Sequence, residues 1–180
     1  CAVIGDMDSA GAVEIAALGG AVPIHHIADQ DSTDLEKAMQ HINAPLCLGF
    51  GFLGRRFDHA LASLTVLARM TDTRPEMKIV LAGRHDALTV TKQTIRTALP
   101  VDTRYSVWPV GTVGFDKSDG LIWPLDGLTL SPHGQVGTSN RTAKPAQLLQ
   151  PASDNSTAFA VIVPVECLGH LCDAVMSGAG

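Results

Sequence analysis

Carboxylates crowd two short stretches near the start of the chain: Asp6 and Asp8 in Gly5-Asp6-Met7-Asp8-Ser9, then Asp29, Asp31, Asp34 and Glu36 in the run from Asp29 to Lys37. Two like charges about 4 Å apart repel by about 1 kcal/mol in water and about 4 kcal/mol at an effective dielectric of 20. Acids gathered this way call for a cation, so the pattern suits a divalent metal or a phosphate site; the plainer alternative is a well-capped, solvated helix. A second constellation follows in Gly49-Phe50-Gly51-Phe52-Leu53-Gly54-Arg55-Arg56-Phe57-Asp58-His59. Glycines give way there to two guanidiniums, a carboxylate and an imidazole, a set fitted to handling charged groups directly. Its plainer readings are a tight strand-to-helix turn and a local Arg56–Asp58 ion pair worth about 0–1 kcal/mol if exposed.

Strand ends and helix starts position both groups. Residues 2–5 read as the end of a buried strand that delivers Asp6 and Asp8 at its carboxyl edge, where parallel α/β sheets bind ligands. Ser9 can cap a helix through Leu18, and residues 22–27 form the next strand, delivering Asp29, Gln30 and Asp31. Thr33 and Glu36 have capping-box spacing ahead of Leu35, Ala38, Met39 and Ile42. A strand at 45–48 leads to the glycines, and Phe57, Leu61, Leu64 and Ala68 make one apolar helical stripe through Arg69. Residues 78–82 are a further buried strand. This alternation predicts parallel βαβ units.

Past Gly83 the character changes. Short β-prone runs at 87–90, 94–97, 104–108, 121–123, 128–130 and 158–163 are separated by Gly, Pro, Asp and Asn. The expected fold class is therefore α/β: a parallel-sheet, Rossmann-like domain over residues 1–91, followed by a β-sandwich domain over 92–180. Residues 143–157, rich in Ala, Pro, Gln, Ser and Asn, read as a loop. Trp108 and Trp123 are expected in the sandwich core.

The chain has 180 residues, 46% of them hydrophobic, and a net charge of −5. All of that excess lies in residues 1–60, with eight acids against three bases, and the rest is balanced. Such a distribution disfavours a nucleic-acid surface. No apolar run approaches a membrane span, and no partner membrane is expected. Cys1, Cys47, Cys167 and Cys172 form no CxxC pair and sit in or beside apolar stretches, as reduced thiols of a cytoplasmic protein would; zinc held by these with His25 and His26 lacks the usual ligand spacing. Gly49, Gly51 and Gly54 satisfy GxGxxG after a strand, with Asp72 near the distance of a ribose contact, which keeps an NAD-binding enzyme open as an alternative.

Taken in order, Gly-Asp-x-Asp-Ser at 5–9, Asp-Gln-Asp-x-Thr-Asp at 29–34, Gly-x-Arg-Phe-Asp-His at 54–59, Gly-Leu-x-Trp-x-Leu at 120–125 and Thr-Ser-Asn at 138–140 resemble the thiamine pyrophosphokinase family. The resemblance implies transfer of diphosphate from ATP to the hydroxyl of thiamine, with Mg²⁺ and with thiamine bound between the subunits of a homodimer. It implies Asp6, Asp8 and Asp34 as metal ligands, and Ser9, Gln30, Asp31, Thr33, Lys37, Arg55 and Arg56 around the nucleotide. Arg56, Asp58 and His59 become the catalytic group, and Thr138, Ser139 and Asn140 the thiamine contacts. Three departures stand out: the strand with Ala-Asp-Gly-Gly-Ala that opens family members is expected before Cys1, Arg55 replaces a common glycine, and Arg141-Thr142-Ala143 supply none of the aromatics that members tend to carry shortly after Asn140. They keep a non-catalytic thiamine or nucleotide sensor on the same fold open as a rival.

Overall fold

A computed structural model describes residues 3–5, 23–27, 33–54 and 56–178. Two compact units divide the chain, 1–43 and 44–180. In the first, β1 (Val3–Gly5) pairs in parallel with β2 (Ile24–His26), as the alternating pattern predicts. The helix α1 (Asp34–His41) begins at Thr33, whose Oγ1 accepts the Glu36 N–H at 3.2 Å, satisfying one of the amides left open at a helix start. Its buried side chains are Leu35, Lys37 and Met39, with Ala38 and Ile42 only half-buried. Across this unit the His25 and His41 rings lie 5.7 Å apart.

The second unit starts with β3 (Leu46–Phe50), α2 (Phe57–Thr73) and β4 (Lys78–Ala82), a βαβ unit with parallel strands. Eight strands follow: β5 (Asp86–Thr91), β6 (Ile95–Thr97), β7 (Arg104–Pro109), β8 (Val113–Asp119), β9 (Thr129–Leu130), β10 (Gly137–Arg141), β11 (Gln147–Pro151) and β12 (Phe159–Pro164). A 3₁₀ turn (Val165–Cys167) and α3 (Leu168–Ser177) close the described chain. The strands form a six-stranded sheet in the order β10-β7-β12-β5-β4-β3 and a four-stranded one in the order β6-β11-β8-β9.

Alternation along each strand sends every second side chain to one face. Tyr105 and Val107 of β7 and Phe159, Val161 and Val163 of β12 thus meet Val113, Phe115, Leu130 and Leu149 of the smaller sheet in one core, closed by Leu171, Ala174 and Val175 of α3. The domain boundary expected after Thr91 falls at the end of β5, which is hydrogen-bonded to β4 on one side and β12 on the other. One sheet therefore runs from the βαβ part straight into the antiparallel part.

Three strands depart from expectation. β8 and β10 arise where turn-prone residues dominate, and β11 occupies residues read as a loop. Conversely, residues 121–123 form only a bridge from Leu121 to Thr142 beside β10. Gly120 turns the chain there at φ +76°, and a Cβ on it would stand 2.1 Å from Ala146 O, so only glycine fits. In α2 the buried face is Ser63, Val66, Leu67 and Met70, whereas Phe57 is 77% exposed and Leu61 is also exposed. Cys47 and Cys167 are buried free thiols and Cys172 is half-buried, while Cys1 lies outside the described residues. No helix among the described residues is long and apolar enough to cross a membrane.

Tyr105 carries one cost in this core. Its hydroxyl is buried with no hydrogen bond of good geometry among the described residues, and burial pushes the phenol's pKa up. An unsatisfied buried hydroxyl is unfavourable by about 1–3 kcal/mol. Tyr105→Phe should therefore keep stability or raise it by up to about 1 kcal/mol in urea denaturation; a clear loss would mean that the hydroxyl is partnered.

Candidate functional site

The glycine turn does what close strand-to-helix connection requires. Gly51 takes φ +87°, a left-handed conformation costly for other residues, and the bend over residues 51–54 brings the chain to Arg56 at the N-cap of α2. Arg56 is extended (φ −104°, ψ 119°), its N–H donating to Gly54 O at 2.7 Å. From there its guanidinium grips Asp58 with two bonds, Nε to Oδ1 at 3.2 Å and Nη2 to Oδ2 at 2.6 Å, while Asp58 Oδ1 also accepts the His59 N–H at 3.0 Å. The ion pair anticipated from sequence is therefore real and exposed on both sides. The Arg56 fork holds the Asp58 carboxyl below the ordinary carboxylate range, with the His59 N–H adding to the effect, and Asp58 in turn keeps Arg56 firmly protonated. Beside Arg56 opens a cavity of about 380 Å³, walled by Leu53, Phe57, Leu61, Leu88 and Ile162. Asp86, bonded to Arg104, borders it. The apolar stripe expected to bury α2 thus lines a hollow.

That cavity sits on the face of the six-stranded sheet turned away from the core. Leu88 and Ile162 stand opposite each other in register, and Ile162 stands opposite Ser106. Ser106 is buried, and its Oγ accepts the Ser139 N–H at 3.0 Å. Between Gly137 and Asn140 the β7–β10 register shifts, which takes Thr138 and Ser139 out of the ladder, both exposed, and leaves Ser139 at φ +61°. Non-glycine residues in this region are strained and concentrate at ligand-binding positions. The hydroxyl-rich bulge and the cavity wall are two strand spacings apart, about 10 Å.

Asn140 has a different surrounding. It is buried, Nδ2 donates to Trp123 O at 2.6 Å, and Oδ1 accepts the Trp123 N–H at 3.1 Å and the Arg141 N–H at 2.8 Å. Its amide braces the segment lying along β10. Neither tryptophan is in the core: Trp123 is 57% exposed and Trp108 is 36% exposed. For Trp108 the sequence held the signal, because alternation with Tyr105 and Val107 puts Ser106 and Trp108 on the opposite face.

In the first unit, Thr33, Asp34 and Lys37 share one helical turn. Asp34 is 57% exposed, whereas the Lys37 side chain is 1% exposed, its Nζ 4.0 Å from Asp34 Oδ1. A buried ammonium is costly unless paired, so Lys37 is more than a solvated surface residue. Asp6, Asp8, Ser9, Gln30, Asp31 and Arg55 lie outside the described residues. Among the described residues no three His, Cys, Asp or Glu side chains gather as a metal site. Asp34 nevertheless offers an exposed carboxylate oxygen, the donor type that Mg²⁺ takes. The ribose contact imagined for Asp72 is overturned: Asp72 sits in the last turn of α2, bonded to Lys92, about 22 Å along the helix from Phe57 and the glycine turn.

Residues 1–81 match the family described as thiamin pyrophosphokinase, catalytic domain. Thiamine pyrophosphokinase 2 of Arabidopsis thaliana is 30% identical over 153 residues, covering 76% of this chain and 56% of that protein. Thiamine pyrophosphokinase 1 of Oryza sativa subsp. japonica is 30% identical over 136 residues, covering 67% of this chain and 50% of the relative. The chain thus spans about half the length of the curated relatives it matches. Among solved structures, thiamine pyrophosphokinase from Bacillus subtilis superposes with a TM-score of 0.76 at 18% identity, over 91% of this chain and 78% of that one. The enzyme from Geobacillus thermodenitrificans gives 0.74 at 24% identity, over 91% and 76%. These structures share the mixed α/β fold with its sheets.

Proposed function

This chain belongs to the thiamine pyrophosphokinase family, and from that premise we propose that it transfers the terminal diphosphate of ATP to the hydroxyl of thiamine. The hydroxyl oxygen attacks the β-phosphorus, the bond from that phosphorus to the bridging oxygen of AMP breaks, and the hydroxyl proton leaves to a base. Thiamine diphosphate and AMP are the products. The observation that carries the reading is the Arg56–Asp58 fork at the mouth of the apolar cavity, on the same sheet face as the strained Ser139.

Arg56 takes phosphate oxygens by charge-assisted bonds that strengthen as negative charge moves onto the leaving group. With its pKa lowered, Asp58 is a weak proton acceptor and serves mainly to aim the guanidinium. The imidazole of His59, exposed beside it, takes the proton. Thr33 and Lys37, with Ser9, Gln30, Asp31 and Arg55, hold the nucleotide, the first turn of α1 adding its amides. Asp6, Asp8 and Asp34 would hold Mg²⁺, which when bound neutralises the polyphosphate. Thr138 and Ser139 form the thiamine end, with Asn140 bracing the strand behind them. A parallel-sheet catalytic half and a β-sandwich half, a homodimer with thiamine between subunits, and a cytoplasmic location complete the reading.

The full-length protein, incubated with ATP, MgCl₂ and thiamine and resolved by chromatography, should yield AMP and thiamine diphosphate in equal amounts. ADP with thiamine monophosphate, or AMP without any thiamine ester, would overturn it. Thiamine binding without turnover would favour the sensor.

A further inference from the structure

The outward face of the six-stranded sheet carries one large aromatic that the reading above leaves without work. Ser106 and Trp108 alternate with the core residues Tyr105 and Val107, so both project to the face that holds the cavity. Trp108 stands about 6.8 Å along β7 from Ser106, the residue that fixes the strained Ser139 N–H. Its register partner on β12 is the small, fully buried Ala160, and the next residue of β12 on this face is Ile162 in the cavity wall. A tryptophan kept 36% exposed beside a buried serine, a positive-φ serine and a hollow of about 380 Å³ is poorly explained by packing alone.

Charge runs in a matching sense along this face. Arg56 marks an anion-binding end at the cavity mouth, and the indole offers an electron-rich surface at the other, the preferred partner of a flat organic cation. We propose that Trp108 is the stacking surface for the rings of thiamine, setting the affinity and orientation of that substrate so that its hydroxyl points toward Arg56. This rests on the function proposed above and supplies, from a different strand, the aromatic missing after Asn140. Ser106 acts as a positioning residue, through Ser139.

The chain has two tryptophans, so Trp123→Phe leaves Trp108 as its only indole. In that variant thiamine should quench fluorescence saturably, and in Trp108→Phe it should leave the remaining emission unchanged. Trp108→Ala should raise the thiamine KM about tenfold, equivalent to about 1.4 kcal/mol, with Trp108→Phe intermediate and the ATP KM unmoved. Thermal midpoints of the variants report folding separately. Normal turnover with an unchanged thiamine KM in the folded alanine or phenylalanine variant, or quenching that follows Trp123, would overturn the assignment and leave the function standing. A parent protein that neither binds nor converts thiamine would overturn both.

Discussion

Arg56→Ala should lower turnover by about 10²–10³-fold while leaving the fold intact. The size follows from its place: a guanidinium that meets developing negative charge contributes more to the transition state than to the bound substrates. The intact fold follows because Arg56 is exposed, its side-chain partner among the described residues is Asp58, and the helix start relies on its backbone. Loss of the fork also releases Asp58, whose titration should rise toward the ordinary value of about 3.9. The depressed folded pKa means that whatever stability the pair adds is present at neutral pH and lost only as pH falls through the folded value. Carboxyl NMR titration of the variant checks this part, and steady-state kinetics at saturating thiamine and ATP check the rest. A variant that retains most of its turnover would remove Arg56 from the chemistry.

The largest effect on stability is expected at Gln147, in the antiparallel half. Its Oε1 accepts the Thr97 hydroxyl at 2.8 Å and the Leu99 N–H at 3.0 Å, and its Nε2 donates to Leu99 O at 3.3 Å and Lys144 O at 2.5 Å. A buried amide thereby ties β11 to β6 and to the turn beyond it. Gln147→Leu keeps the volume but strands several buried polar groups, each at about 1–3 kcal/mol, and should destabilise by about 3–5 kcal/mol. Gln150→Leu, on the same strand but half-exposed, should cost less than about 0.5 kcal/mol. Urea denaturation of both variants measures the contrast, and equal losses would refute the clamp.

Legibility followed local chemistry. Residues 33–82 could be read closely because each element there signals itself: Thr33 caps, Gly51 turns, and residues 79–82 are apolar throughout. The antiparallel half was less legible, since β10 is Gly-Thr-Ser-Asn-Arg and becomes a strand only because β7 lies beside it. Similarly, β11 sits in a Pro- and Ser-rich stretch, yet Leu149 is fully buried and Gln147 is held by four bonds. Strand propensity is largely a record of such neighbours, which single-chain patterns do not contain. In the candidate site, the Arg56–Asp58 pair was visible from spacing, but the burial of Lys37 was not. Strand alternation, not aromatic bulk, decides that Trp108 faces away from the core.

The proposed reaction turns on which phosphorus the thiamine hydroxyl attacks. ATP labelled in its β-phosphorus, followed through a single turnover of the full-length protein with thiamine, tests this directly. The label should appear in thiamine diphosphate with none in the released AMP, one for one; label remaining in ADP while a thiamine monophosphate accumulates would contradict it.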